Sequence, residues 1–483
     1  MNHVDSVTTR QLVRAAIDGM LGSLDPHSYF LAREDADRLL AWRAGELAAT
    51  GIILETIDDT PTVHAVYPRS PADKAGISPG DRLVAIDDSS VSGVTTSVIR
   101  TWLLGTVGKQ VTLSLERGSV LEPDTLRVRL KYQPIKPVAI AATAMADDST
   151  GYIRLQEFTG EAAKELEKAV QRLVGSRKAK HLILDLRGNP GGSLEAAVAV
   201  ASLFLPKDVL VFEIRGRSKR VDQAFRTSRD GKFRSLPLML LIDEQSASAS
   251  EVVGGSLQDH DRALILGRRS FGKALVQLPF GIPPAGDAVW LTIGYVLTPS
   301  GRLIQRRYEG MSKERYYSLA GRGGSESDTL DAYVTTSGRR VEGRGGIAPD
   351  IEFDAPPSTP VWLSVASDSS FDHAIADSVA HSLSEATWSA QTWANSASVW
   401  EAELLPPFLR RVRARLGVAA RTTPGLDRAI ARQLAARVAE VRWGSDARDE
   451  LLLRSDLDVS AALEHIPRLE SFLRRSGSDV KSE

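Results

Sequence analysis

Twice between residues 134 and 355 the chain repeats one pattern: an unbroken apolar run, a short polar turn, then a segment of helical length. The copies are "HLILDLRGNPGGSLEAAVAVASLFL" and "LPLMLLIDEQSASASEVVGGSLQD". An apolar run without alternation predicts a strand buried on both faces, as in a parallel sheet covered by helices. Ahead of them "STGYIRLQEF" reads as a strand. "GEAAKELEKAVQRLVGS" reads as an amphipathic helix with Ala163, Leu166, Val170 and Leu173 on one face. "RALILGRRSFGKALVQLPFG" and "AVWLTIGYVLTPSGRLI" follow, so this region is α/β in character.

The flanking regions carry other periods. Residues 1 to 45 are helical, with Leu12, Ala15, Ala16 and Met20 at helix-like intervals. That helix stops at "LDPHSYF", where Pro26 keeps Asp25 out of the helical region, and "REDADRLLAWRAGEL" resumes it. From 46 to 133 short strands take over: "GIILETIDDTPTVHAV" turns at Asp58 to Pro61, and "VTLSLERG" and "TLRVRLKY" form a later pair. Between them "SPADKAGISPGDRLVAIDDSSV" predicts a short helix closed by Gly76, a turn at Pro79 and Gly80, and a strand. A polar, Gly- and Ser-rich stretch at 306–332 is read as an inserted, mobile excursion, and "DAPPSTP" (354–360) as a linker. The remainder, 356–483, reads as helices with basic faces, a bundle whose arginines are solvated.

Composition narrows the chemistry. A length of 483 residues suggests about three domains. Lys and Arg (60) balance Asp and Glu (61), so no global field recruits nucleic acid or an anionic membrane. The absence of cysteine removes disulfides, thiolate metal sites and a thiol nucleophile at once, and suits an extracytoplasmic compartment. No apolar run reaches the roughly eighteen residues of a membrane span. "MNHVDSVTTRQL" has no signal-peptide pattern, which leaves a cytoplasmic protein or one that begins after its export signal.

Candidate chemistry lies at the two turns. "RGNPGG" strings backbone N–H groups near a helix start, where they can hold developing negative charge, and it lacks the spacing of a phosphate loop. "SASASE" has two readings: Ser248 and Glu251 form the S-x-x-E capping box, or Ser248 is a nucleophile. A serine nucleophile needs a base. If 248–260 is one helix, His260 lies about 18 Å away at about 1.5 Å per residue and cannot serve; His27, His181, His373 and His381 show no motif. Lys273 can serve if its pKa falls about three units from about 10.4, a cost of about 4 kcal/mol. Phe271, Ala274, Leu275 and Val276 offer the apolar surroundings for it.

"SPADKAGISPGDRLVAIDD" resembles a PDZ domain, which implies a groove beside a sheet edge that takes an extended peptide and its C-terminal carboxylate. The resemblance ends the carboxylate loop at Gly51 and Ile52, with Ala48, Ala49 and Thr50 where relatives usually carry glycines. "DLRGNPGG", "SASASE", "LQDH" and "SFGKALVQ", in that order after a PDZ-like segment, resemble the C-terminal processing peptidases over residues 10 to 355. The resemblance implies a crotonase-like or ClpP-like α/β peptidase core with an inserted PDZ-like domain and a C-terminal helical region. It also implies a serine peptidase with a Ser-Lys dyad 25 residues apart, which selects Ser248 and Lys273. By the same resemblance Gln277 orients the amine if its segment is helical, Asp259 supports the helix end, and Gly191, Gly192 and Ala249 donate to the oxyanion. Ala274 and Leu275 depart from the glycine and serine common in relatives. No metal or cofactor is called for. Protein or peptide substrates with exposed C-termini and a homodimer through the C-terminal helices are implied, and a peptide-binding adaptor on an inactive peptidase fold is the alternative.

Overall fold

The computed structural model describes residues 8–37, 48–57, 60–67, 70–77, 81–94, 96–117, 124–135, 138–282, 286–311, 316, 332–354, 379, 382–383, 387–416 and 422–475. The chain folds as two units: Met1–Leu31 with Pro137–Ala355 and Leu457–Glu483, and Ala32–Lys136 with Pro356–Asp456.

In the first unit a six-stranded sheet runs in the order Ile140–Met145, Thr150–Leu155, His181–Asp185, Leu238–Ile242, Leu264–Gly267, Ile351–Glu352. Its first pair is antiparallel and the rest are parallel. The helices Ala162–Ser176, Leu194–Ala201 and Ala249–Asp259 make the crossovers between successive central strands. Every residue of His181–Asp185 and Leu238–Ile242 is buried, as the apolar stretches 182–184 and 238–242 require, and the buried Asp185 is paired with Arg187. Ala249–Asp259 is buried along its whole length. Its small residues permit that: a Cβ on Gly255 would come within 2.8 Å of Thr298 Cγ2. Leu166, Val170, Leu184, Val200, Leu240, Val253 and Leu257 join sheet and helices in one core, and each such side chain contributes roughly 1.5–3 kcal/mol.

A second, antiparallel sheet is built on the long strand Asp287–Leu297, which pairs with Tyr29–Leu31, Leu210–Gly216 and Leu275–Ile282. The strand Leu275–Ile282 directly follows Lys273, so the hairpin anchors the lysine loop.

The second unit holds the sheet Ile52–Ile57, Thr60–Val66, Arg82–Ile86, Gln110–Arg117, Asp124–Lys131. The short helix Pro71–Lys74 is capped by Ser70, whose Oγ accepts from the Asp73 N–H at 3.2 Å. Its other core is helical: Trp393 and Trp400 are buried and donate to Ala435 O and Trp393 O, both at 3.0 Å. These tryptophans therefore serve packing. The tail departs from the expected boundary at 356, because Leu457–Glu464 and Ile466–Arg475 belong with the first unit.

Residues 33–37 are helical, while 38–47, the turn residues 58–59 and 78–80, the linker residues 355–360, His373 and His381 lie outside the described residues. So does most of the 306–332 excursion, but Tyr316 within it is wholly buried, edge-on to Phe271 at 5.7 Å and accepting from Gln305 Nε2 at 3.0 Å. At that residue the expected polar excursion is replaced by a packed aromatic.

Candidate active site

Parallel pairing of His181–Asp185 with Leu238–Ile242 sets the two strand-to-helix turns side by side, at the carboxyl ends where open α/β sheets place their ligands. Hydrogen bonds lace the turns together. Ser246 Oγ donates to Leu186 O at 2.8 Å, the Ala247 N–H to Asn189 O at 3.0 Å, and Ser250 Oγ to that same carbonyl at 2.9 Å. Both flanking serines are thus buried structural donors. Ser248 stands between them, half-buried, at φ 58 and ψ −114. That conformation is outside the left-handed helical well and costs about 1–3 kcal/mol, strain of the kind that exposes a hydroxyl on a strand-to-helix turn.

The capping-box arrangement is also present, since Glu251 accepts from the Ser248 N–H at 2.8 Å. The Glu251 N–H, which the box turns toward the Ser248 side chain, also closes on the Ser248 carbonyl at 2.9 Å. Replacing Ser246 or Ser250 by alanine is expected to cost about 0.5–1.5 kcal/mol in denaturant unfolding, the net worth of one hydrogen bond, since Leu186 O and Asn189 O each keep a main-chain donor. Ser248 should still react with a fluorophosphonate; loss of labelling in a stably folded Ser246→Ala protein would move the nucleophile to 246.

Glycine is required where the turns meet. A Cβ on Gly191 (φ +104) would lie 2.7 Å from Ala247 O and 2.9 Å from both Ala249 N and Ser248 Cβ. A Cβ on Gly192 (φ +147) would lie 2.4 Å from the Phe158 carbonyl oxygen. The oxyanion expectation needs one correction. Gly191 gives its N–H to Asn189 Oδ1 at 2.9 Å, an Asx-type turn two residues on. Among the described residues the Gly192 and Ala249 N–H groups have no hydrogen-bond partner, so they remain as donors while Gly191 provides clearance.

Glu251 organises the rest. Its carboxylate is buried, at 1% exposure, and takes two donors on each oxygen. Oε1 accepts from Ser270 Oγ at 2.5 Å and the Gly272 N–H at 2.6 Å. Oε2 accepts from the N–H groups of Ser248 and Lys273, both at 2.8 Å. The two main-chain nitrogens are therefore within two hydrogen-bond lengths of each other, a gap suited to the four-carbon stem of lysine. Burial pushes the Glu251 carboxyl up from its ordinary range, and the hydrogen bonds from Ser270, Lys273, Gly272 and Ser248 pull the other way without overcoming it. Around the half-buried Lys273, Phe271, Ala274 and Leu275 are all buried.

Gln277 is not one helical turn beyond Lys273. Its segment is the strand Leu275–Ile282, in which four residues span about 13 Å at about 3.3 Å each. A bulge falls between Val276 and Gln277, and Gln277 Nε2 donates to Thr292 Oγ1 at 3.1 Å. Asp259 closes the far end of the helix that starts at Ala249, about 16 Å from Ser248. It accepts from the Ser300 N–H at 2.9 Å and pairs with Arg302 Nη2 at 2.7 Å, a nitrogen that also donates to Gln258 Oε1. Its support is therefore structural. His260 lies beyond Asp259 against Leu210 O at 2.7 Å, away from Ser248 as expected.

In the second unit Gly51 (φ +93) is obligatory, since its Cβ would fall 2.2 Å from Ser70 Cβ. Its carbonyl accepts from the Tyr67 N–H at 2.8 Å, and its own N–H has no partner among the described residues. Among the described residues the strand beginning at Ile52 pairs on its Thr60–Val66 side alone, which makes it the edge of its sheet. At that edge Arg100 Nη2 donates to Leu54 O at 2.5 Å.

The sequence reading did not anticipate Glu251 as a junction, nor Asn189, Ser270 and Asp243, which accepts from the Gly188 N–H at 2.9 Å. Only the S-x-x-E pattern and the Asn-Pro-Gly turn signalled any of them.

Residues 149–315 match peptidase family S41, and residues 62–117 a PDZ domain. A carboxy-terminal-processing protease of Bartonella bacilliformis is 36% identical over 301 residues, covering 61% of this chain and 68% of that protein. The carboxyl-terminal-processing protease of a Synechocystis species is 31% identical over 305 residues, covering 62% and 69%. Among solved structures, the photosystem II D1 C-terminal processing protease overlays with a TM-score of 0.47 at 24% identity, covering 73% of this chain and 84% of that one.

Proposed function

The chain belongs to peptidase family S41, the carboxy-terminal-processing serine proteases, and from that premise we propose that Ser248 is its nucleophile and Lys273 its general base. The observation that carries this reading is the single oxygen of Glu251 that accepts from the main chains of both residues. Ser248 attacks the peptide carbonyl while a neutral Lys273 takes its proton. The N–H groups of Gly192 and Ala249 hold the oxyanion, and Gly191 keeps the turn close. Lys273 then protonates the leaving amine, and water hydrolyses the acyl-enzyme. Burial of Phe271, Ala274 and Leu275 supports the loss of the lysine proton that the step requires.

The PDZ domain supports a peptide-binding role. We read the unpartnered Gly51 N–H and the open edge beginning at Ile52 as the seat of a substrate C-terminus, added as a strand. An extracytoplasmic setting is supported by the lack of cysteine, and a homodimer through the C-terminal helices by the resemblance alone. Among the described residues no helix is long and apolar enough to cross a membrane.

Two measurements test the function. Unfolded casein is expected to be hydrolysed; an inert protein that still binds peptides would instead be an adaptor. Peptides with a free C-terminal carboxylate are expected to bind at least about tenfold more tightly than their amidated forms, the equivalent of about 1.4 kcal/mol. Equal affinity would remove the carboxylate from the PDZ reading.

A further inference from the structure

The tail of the chain reaches the peptidase site through one carboxylate. Asp458 lies in the first turn of the helix Leu457–Glu464, within the first unit. Its Oδ2 is 2.9 Å from Arg187 Nη1 and 3.0 Å from Arg268 Nη1. All three side chains are at most 18% exposed, so these pairs are weakly screened by solvent.

The two arginines belong to the two loops that build the site. Arg187 immediately precedes Gly188 and the turn that ends in Gly191 and Gly192. Its guanidinium also holds Asp185, Nη2 to Oδ2 at 2.7 Å, and Tyr152 OH donates to that same oxygen at 2.6 Å. Arg268 opens the loop that carries Ser270, Gly272 and Lys273, the three donors that Glu251 gathers along with Ser248. Arg268 also pairs with Glu244, at 3.2 Å.

We propose that Asp458 is a positioning residue: one carboxylate oxygen from the C-terminal helix fixes the oxyanion turn and the lysine loop relative to each other, so the tail completes the peptidase site. This rests on the dyad reading above and adds a component far from it in sequence. Each arginine keeps a second carboxylate when Asp458 is neutralised, so the fold survives while the direct tie between the two loops is lost and only the indirect one through the serine turn and Glu251 remains. Misplacement of about 1 Å can cost about a hundredfold in rate.

The test compares Asp458→Asn and Asp458→Glu with Glu464→Gln, an exposed position on the same helix. Hydrolysis of a casein-derived fluorogenic peptide gives kcat and KM, and amide hydrogen exchange is followed at 186–192 and 268–273. Asp458→Asn is expected to lower kcat about ten- to a hundredfold with KM changed less than twofold, and to speed exchange in both loops. Asp458→Glu should recover most of kcat, and Glu464→Gln should match wild type. A kcat within twofold of wild type for Asp458→Asn, or faster exchange confined to 457–475, would reduce Asp458 to a tail anchor and overturn the proposal. An inert wild type would sink the dyad reading, and the exchange comparison would still decide whether Asp458 ties the loops.

Discussion

Ser248→Ala and Lys273→Ala are each expected to lower kcat on unfolded casein by about 10⁴-fold or more, the scale on which members of a serine-peptidase catalytic unit fail singly. The double variant should be scarcely worse than either, because the two act as one unit. Lys273→Arg separates a base from a structural cation. It keeps the charge and most of the length, but a guanidinium holds its proton across the usable pH range. It is therefore expected to be as inactive as Lys273→Ala while unfolding at the wild-type denaturant midpoint. Activity retained by Lys273→Arg would mean that position 273 supplies only charge.

Glu251 carries the second large effect. Its four donors divide two to each oxygen. Glutamine can accept on one side only, and turns an NH₂ toward donors on the other. Glu251→Gln is therefore expected to leave two buried donors unsatisfied, about 2–6 kcal/mol at about 1–3 each, together with the activity. The deficit should depend on pH. Burial raises the folded carboxyl pKa above the unfolded value, so the folded state binds the proton more tightly. Wild-type stability then falls as pH rises from the unfolded value, near 4.5, through the folded one. Glutamine does not titrate, so the gap between the proteins should be widest at low pH and narrow as pH rises through the folded pKa. Denaturant midpoints measured across that range give the sign directly; a gap that widens with pH would show that the hydrogen bonds outweigh burial.

The core and the candidate nucleophile were legible for different reasons. Apolar runs at 182–184 and 237–242 are satisfied by burial on both faces, so the parallel strands and the turns after them followed. Ser248 was singled out by its spacing from Lys273, and its proposal as nucleophile is supported by the use of the Ser246 and Ser250 hydroxyls elsewhere. Gln277 was misplaced because a four-residue interval means one turn in a helix and about 13 Å in a strand, and Val276 and the hairpin decide for the strand. Gly191 was taken for a donor because the fate of a turn N–H depends on a neighbouring side chain. Here Asn189, two residues earlier, claims it. Glu251 showed only its local partner, Ser248; its other three donors arrive from 19 to 22 residues later. Asp458 gave no signal at all, since its partner Arg187 is 271 residues away. Pairings of that kind are set by the folded chain, beyond the reach of any periodicity.

The central claim is that one particular hydroxyl in "SASASE" is made nucleophilic by its surroundings. Reaction of the wild-type protein with a fluorophosphonate, followed by peptide mapping in a mass spectrometer, tests it most directly. The account predicts a single adduct on Ser248, absent from Ser248→Ala and strongly slowed in Lys273→Ala. An adduct on Ser246 or Ser250, or equal labelling rates with and without Lys273, would contradict it.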